Sequence, residues 1–301
     1  MKRVIVTGAS GFVGSHALPA LEERGFEVHA LDLPGTHRAS SRNLVWHALD
    51  LMDPSAVDRS LREISPTHLL HFAWFVRHGD FWTAAENLDW VAASLHLIRA
   101  FHRVGGRRAV VAGTCAEYDW AAASGPCVEG KTPLGPQSLY GTAKDALRAL
   151  LAAFSATWSM EWAWGRIFLI YGPGEHPARL VPSLIQTLAR GERARCRSAN
   201  LIRDLMHVRD CGRAFAELLD SPVNGPINIA SGIPVSLADV AREIASQCHA
   251  EDRLDLEDQP CSAAVPAFLV ADTRRLQSEV AFLPQFGLRD GIRHSLEKRQ
   301  S

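Results

Sequence analysis

Arg3-Val-Ile-Val-Thr7-Gly8-Ala-Ser-Gly11-Phe12-Val13-Gly14 is the stretch that decides the fold. Residues 3–7 form a continuous run rich in β-branched residues, the pattern of a strand buried on both faces of a parallel sheet. Gly8, Gly11 and Gly14 follow as G-x-x-G-x-x-G. Glycine at these places lets the backbone turn tightly and approach a pyrophosphate closely. The helix that opens at Gly14 then turns its free N–H groups and positive end toward the phosphates. A glycine triplet alone is weak. Its place between a first strand and a first helix makes it a dinucleotide-binding loop, with Phe12 and Val13 inside the cradle.

Outward from this loop, strand and helix patterns alternate. A helix runs from Gly14 to about Arg24, with Pro19 inside it and Gly25 as its stop. Strand Glu27–Asp32 follows, then a short strand before Asp50, a helix over Pro54–Glu63 and a strand over Thr67–Ala73. Leu88, Val91, Leu95, Ile98 and Phe101 recur at helical steps before Gly105-Gly106. Strand Ala109–Gly113, a helix beginning near Tyr140, and a strand over Trp162–Tyr171 complete the series. The rhythm predicts an α/β fold with a doubly wound parallel sheet and right-handed crossovers. Past Gly172 it loosens into a helix at Leu180–Arg190, strands at Leu205–Val208 and Pro226–Ala230, and a helix opened by Ser236. The expected organisation is a dinucleotide-binding domain over 1–171 and a smaller mixed α/β substrate region over 172–301, with about 203–220 returning to the first domain.

A net charge of −1 offers no global field for nucleic acid or an anionic membrane, so phosphate recognition must be local. No apolar run approaches the ~20 residues needed to span a bilayer, and the expected setting is cytoplasmic. The six cysteines include no C-x-x-C pair and are expected as free thiols. The thirteen histidines show no H-x-x-x-H spacing, so no metal site is expected.

Asp32 lies eighteen residues after Gly14, at the end of the second strand. A carboxylate there accepts from the adenosine ribose hydroxyls and repels a 2′-phosphate, which favours NAD over NADP. Arg38 and Arg42 leave NADP open. Asp50, with Leu51 beside it, is placed to receive the adenine amino group. Tyr140 and Lys144 stand four residues apart and so share one helix face. A cation near a phenol favours its ionised form, so Lys144 is expected to lower the Tyr140 pKa and to hold the nicotinamide ribose. Tyr140 then exchanges a proton with a substrate hydroxyl or carbonyl. Thr114, at the end of the preceding strand, can hydrogen-bond the same oxygen.

These residues together resemble the extended short-chain dehydrogenase/reductases, the sugar-nucleotide epimerase/dehydratase family. The likeness extends to His71-Phe72-Ala73-Trp74, Arg166-Ile-Phe-Leu-Ile-Tyr-Gly-Pro173, Arg203-Asp-Leu-Met-His-Val-Arg-Asp210 and Asn228-Ile-Ala-Ser-Gly232. It implies that Phe72, Ala73 and Trp74 line the cofactor, that the substrate is a nucleoside-diphosphate sugar, and that Arg203 binds its pyrophosphate. Family dehydratases carry Asp-Glu after the threonine matching Thr114. Here those positions are Cys115 and Ala116, which argues against 4,6-dehydration. Leu169 replaces a family asparagine, so one substrate contact is missing. Glu117 and His176 are candidates for a second acid or base, and Cys115 and Arg179 for lining the substrate pocket.

The leading expectation is an epimerase acting at C4 of the sugar. A ketoreductase acting on a 4-keto-6-deoxy sugar shares the machinery. A non-catalytic dinucleotide sensor would have no need of Tyr140 and Lys144. The family likeness further implies a homodimer built on helices 87–104 and 140–158, with Ala143, Ala146, Ala149 and Ala153 allowing close approach.

Overall fold

The computed structural model describes residues 2–35, 40–258 and 265–299. Strand β1 (Arg3–Thr7) leads into helix α1 (Gly14–Glu23), strands β2 (Glu27–Asp32) and β3 (Leu44–Ala48), helix α2 (Pro54–Ile64), strand β4 (His68–His71), helix α3 (Glu86–Arg103) and strand β5 (Arg108–Thr114). Helix α4 (Leu139–Trp158) precedes strands β6 (Glu161–Ile167) and β7 (Leu169–Tyr171), helix α5 (Leu180–Ala189), strands β8 (Ala194–Cys196) and β9 (Ile202–His207), and helix α6 (Val208–Asp220). The remainder comprises strands β10 (Gly225–Ile229) and β11 (Pro234–Ser236), helix α7 (Leu237–Gln247), strands β12 (Leu254–Leu256) and β13 (Phe268–Leu269), and helices α8 (Arg274–Ser278) and α9 (Leu288–Arg299).

Seven strands pair in parallel in the order β10-β6-β5-β4-β1-β2-β3. Both faces of the sheet are covered, so a central strand must be apolar throughout. Every residue of β5 is buried. In β1, Val4 and Val6 point into a core shared with α1 and α6, while Ile5 points into the opposite core with α2, α3 and α4. The direction of winding reverses between β4 and β1. The carboxyl ends of two such strands are where open α/β sheets form the crevice that takes ligands.

The run expected as one strand over Trp162–Tyr171 is two. Residue Ile167 is the last of β6 to pair with β10. Phe168 then turns its side chain into a separate small cluster with Tyr118, and Leu169–Tyr171 pairs with β9 in a second sheet that also holds β11 and β13. Residues 203–220 are likewise divided. The strand part belongs to the second sheet, whereas α6 lies against α1 on the main sheet. Further on, β10 forms the edge of the main sheet itself. Ser236 caps α7, its hydroxyl accepting from Asp239 N–H at 3.0 Å. No helix among the described residues is long and apolar enough to cross a membrane.

The contact between α1 and α6 is close because of Gly212. A Cβ there would stand 2.4 Å from the His16 carbonyl carbon and oxygen. Backbone cannot swing aside as a side chain can. Gly212→Ala should therefore push the helices apart and cost about 1–3 kcal/mol. The urea midpoint should drop accordingly; an unchanged midpoint would refute this account of the packing.

Candidate active site

The crevice is shaped by close backbone approach. Gly8 has φ +63°, and a Cβ on it would sit 2.8 Å from Ala73 N. A Cβ on Gly14 would meet the Gly8 carbonyl oxygen at 2.1 Å. No side chain fits between the end of β1, the start of α1 and the turn after β4. Gly11 completes the loop by donating its N–H to Gly8 O at 3.0 Å. The buried Thr7 hydroxyl holds the far wall, accepting from Ala73 N–H at 3.3 Å and meeting His71 Nδ1 at 2.6 Å. His71 Nε2 reaches Ser94 Oγ at 2.8 Å. Burial drives this imidazole down to about 3, with the Lys144 charge adding to the effect, so it stays neutral and can both accept from Thr7 and donate to Ser94. Phe72, Ala73 and Trp74 are thereby fixed along the crevice, and Phe72 packs edge-on against Phe215.

The same crevice contains the feature that best fits a dinucleotide. Asp32 Oδ1 accepts from Leu33 N–H at 2.8 Å, whereas Asp32 Oδ2 is buried with no hydrogen-bond partner among the described residues. A buried carboxylate oxygen without a donor is costly, and a ribose hydroxyl would satisfy it. Asp50 is exposed and uses Oδ1 on Met52 N–H at 2.9 Å; Leu51 beside it is buried. Arg42 is exposed, and Arg38 lies outside the described residues. Phe12 meets the edge of His16, whose Nε2 lies 3.1 Å from the Pro173 carbonyl. Val13 occupies the N-cap position of α1, and the His16–Pro173 contact ties this helix start to the segment that carries His176 and Arg179.

Thr114, Tyr140 and Lys144 converge at the carboxyl edge of β5. Ser138 caps α4 by accepting from Gly141 N–H at 3.1 Å, which sets Tyr140 in the first turn and Lys144 one turn on. Lys144 is almost fully buried. Its ammonium donates to the Ala112 carbonyl at 2.9 Å and sits 3.8 Å from the centre of the Trp74 ring. Burial brings it down to about 7, with the Glu117 charge acting in the opposite sense. Burial also drives the Tyr140 phenol above its ordinary value, against a hydrogen bond from Thr114 and the Arg179 charge. The expected lowering of the phenol by Lys144 is not seen. The ammonium is turned to Ala112 and Trp74 instead, and the cation acting on the phenol is Arg179.

Phe81 and Trp82 pack edge-to-face on Tyr140 at 4.9 and 5.8 Å, and Tyr140 N–H donates to Trp82 O at 3.1 Å. This cover is scarcely visible in the sequence. Its one signal was two adjacent aromatics in a stretch with no strand or helix pattern. His176 is exposed and stacks on His78 from the same cover at 4.6 Å. Arg179 donates to Glu175 at 3.1 Å. The Glu175 carboxyl is raised to about 7 by burial, opposed by Arg179. Arg203 is buried, with Nη1 donating to Ile202 O at 2.8 Å.

Glu117 does not belong to a substrate pocket. It is fully buried and its lone pairs are filled by Thr114 N–H at 2.8 Å, the Trp164 indole at 2.8 Å and Arg166 Nε at 2.7 Å. Cys115 is buried as well, and its thiol is pushed up to about 12 by desolvation.

This fold, with a glycine cradle beside a tyrosine–lysine pair, defines a Rossmann-type dinucleotide enzyme. The chain belongs to the NAD dependent epimerase/dehydratase family, whose model matches residues 4–230. It is 27% identical to the dTDP-4-dehydro-6-deoxy-D-allose reductase of Streptomyces bikiniensis, over 97% of this chain and 94% of that protein. It is 24% identical to UDP-glucuronate 4-epimerase 4 of Arabidopsis thaliana, over 96% of this chain and 73% of the other. The solved structure of MoeE5 in complex with UDP-glucuronic acid and NAD matches with a TM-score of 0.83 at 27% identity, covering 99% of each chain.

The saturated surroundings of Glu117 define a stability test. Glu117→Ala would strand the Arg166 guanidinium in the core, and losing one partner of a buried ion pair costs about 3–5 kcal/mol. Chemical denaturation should register that loss. A stability within experimental error of the parent would mean that the pair is not buried as described.

Proposed function

We propose that the enzyme acts at C4 of a nucleoside-diphosphate sugar, with NAD as cofactor, and that it is an epimerase. The observation that carries this reading is the meeting of Thr114, Tyr140 and Lys144 beside a crevice whose buried Asp32 oxygen has no donor among the described residues. NAD, when bound, supplies the acceptor and donor of hydride. Gly8, Gly11, Phe12, Val13 and Gly14 hold its pyrophosphate, Asp32 a ribose hydroxyl, and Asp50 with Leu51 the adenine. Phe72, Ala73 and Trp74 line the nicotinamide half.

Tyr140 takes the proton of the C4 hydroxyl and later returns it to the C4 oxygen. Thr114 holds that oxygen in reach. Lys144 presents its remaining N–H to the nicotinamide ribose. A phenol raised by burial is a strong base once ionised, and Arg179 and Thr114 favour that ionised form. Epimerisation further requires the 4-keto sugar to turn over within the pocket before the C4 hydroxyl is re-formed. Cys115 and Ala116 provide no carboxylate next to Thr114, so loss of water from the sugar has no acid–base pair to drive it.

The likeness to a 4-keto-sugar reductase favours a second reading, reduction of a 4-keto-6-deoxy sugar with an exchangeable cofactor. The absorbance and mass of cofactor released from the purified protein separate the two. Tightly held NAD supports the epimerase, and an empty site that takes up NADPH supports the reductase. Under either reading, Tyr140→Phe should cut turnover at least about 100-fold, the scale of a lost general acid–base group, with NAD still bound. Undiminished turnover would sink the role of Tyr140.

We also propose a homodimer through the outer faces of α3 and α4. Leu88 and Ala92 on α3, and Ala146, Ala149, Leu150 and Ala153 on α4, are exposed and form an apolar surface; Ala143 instead faces the core. Light scattering at micromolar concentration should give twice the chain mass, and a monomer mass would rule the assembly out.

A further inference from the structure

Trp74 stands against Lys144 in the crevice. It is nearly fully buried, so its position is defined by packing and not by solvent. One face of its indole lies under the Lys144 ammonium at 3.8 Å. Its edge is also fixed, because Trp74 Nε1 donates to Asn87 Oδ1 at 2.8 Å. Asn87 is fully buried on α3, and its Nδ2 donates to the carbonyls of Phe81 and Ala84, both at 2.8 Å. Phe81 belongs to the cover on Tyr140. A continuous set of contacts therefore runs from the Lys144 ammonium, through the indole and the Asn87 amide, to the segment above the phenol.

We propose that Trp74 is the positioning residue of Lys144: its indole face holds the ammonium, and its N–H, anchored by Asn87, ties that ammonium to the cover over Tyr140. The inference rests on the role given to Lys144 above. A buried ammonium with a single carbonyl partner is poorly compensated for lost hydration. The Ala112 carbonyl meets one N–H. The electron-rich ring face meets the charge broadly and leaves an N–H free, and such contacts are strongest where water is excluded. Two other groups bear on this site. Glu117 favours the ammonium, and His71 is neutral. Among the described groups at this site, the ring can be removed without stranding an ion.

The test reads Lys144 directly. The chain has four lysines, Lys2, Lys131, Lys144 and Lys298, so a titration of lysine side chains by NMR in the full-length protein is resolvable, with Lys144→Met identifying the signal. In the parent, Lys144 should titrate near pH 7. In Trp74→Leu the midpoint should fall by about one pH unit, the scale of a lost desolvated cation–π contact. Trp74→Phe, which keeps an aromatic face, should stay closer to the parent. The basic limb of kcat/KM should move with the same order, giving roughly a tenfold loss for Trp74→Leu at pH 8. Should Trp74→Leu not fold, uniform replacement of tryptophan by 5-fluorotryptophan weakens the ring face at nearly constant shape, and the Lys144 midpoint should fall by a few tenths of a pH unit. A Lys144 midpoint unmoved in both the leucine variant and the fluorinated protein overturns the proposal. Retained turnover in Lys144→Met would instead overturn the catalytic reading of Lys144, and the titration would still decide the indole's effect on the ammonium.

Discussion

The Glu117 carboxylate receives the Thr114 N–H, the Trp164 indole and the Arg166 guanidinium where no solvent reaches. Thr114 is the last residue of β5, and Trp164 and Arg166 belong to β6, so one buried charge clasps the ends of two neighbouring strands. The guanidinium continues to the Tyr118 hydroxyl at 3.2 Å, which donates to Asn228 on β10 at 2.8 Å. Three adjacent strands therefore share one polar network at the edge where the candidate site lies. Such a network is stabilising only when every member is satisfied. Its members leave little room for error, since a Cβ on Gly113 would lie 2.0 Å from Trp164 Nε1. The position of Thr114, and through it of the oxygen that Tyr140 meets, follows from this arrangement.

Much of this was legible in the sequence because it depends on local rules. The glycine loop reads as it folds because no other residue fits at Gly8 or Gly14. Tyr140 and Lys144 share a face because helix geometry places residues four apart together. What was not legible depends on contacts distant in sequence. Glu117 looked like a free acid because Arg166, forty-nine residues on, is what fills it. The strand over 162–171 looked continuous because its apolar run gives no sign that one partner ends at Ile229 and another begins at Leu205. The surroundings of the Lys144 ammonium depend on distant residues in the same way. Helix spacing brings the lysine near, but the Ala112 carbonyl and the Trp74 ring decide where its ammonium points.

Helix α4 carries an inward and an outward face on one rigid rod. Tyr140 and Lys144 look into the crevice, while Ala146, Ala149 and Ala153 look outward. Lys144 and Ala146 are only two residues apart, which is about 3 Å of rise along the axis. A helix held by hydrogen bonds at every turn cannot shift one face and leave the other still. A load on the outer alanines would therefore be felt at the phenol as well. The Tyr140–Lys144 pair and the outer alanines are, in mechanical terms, a single part.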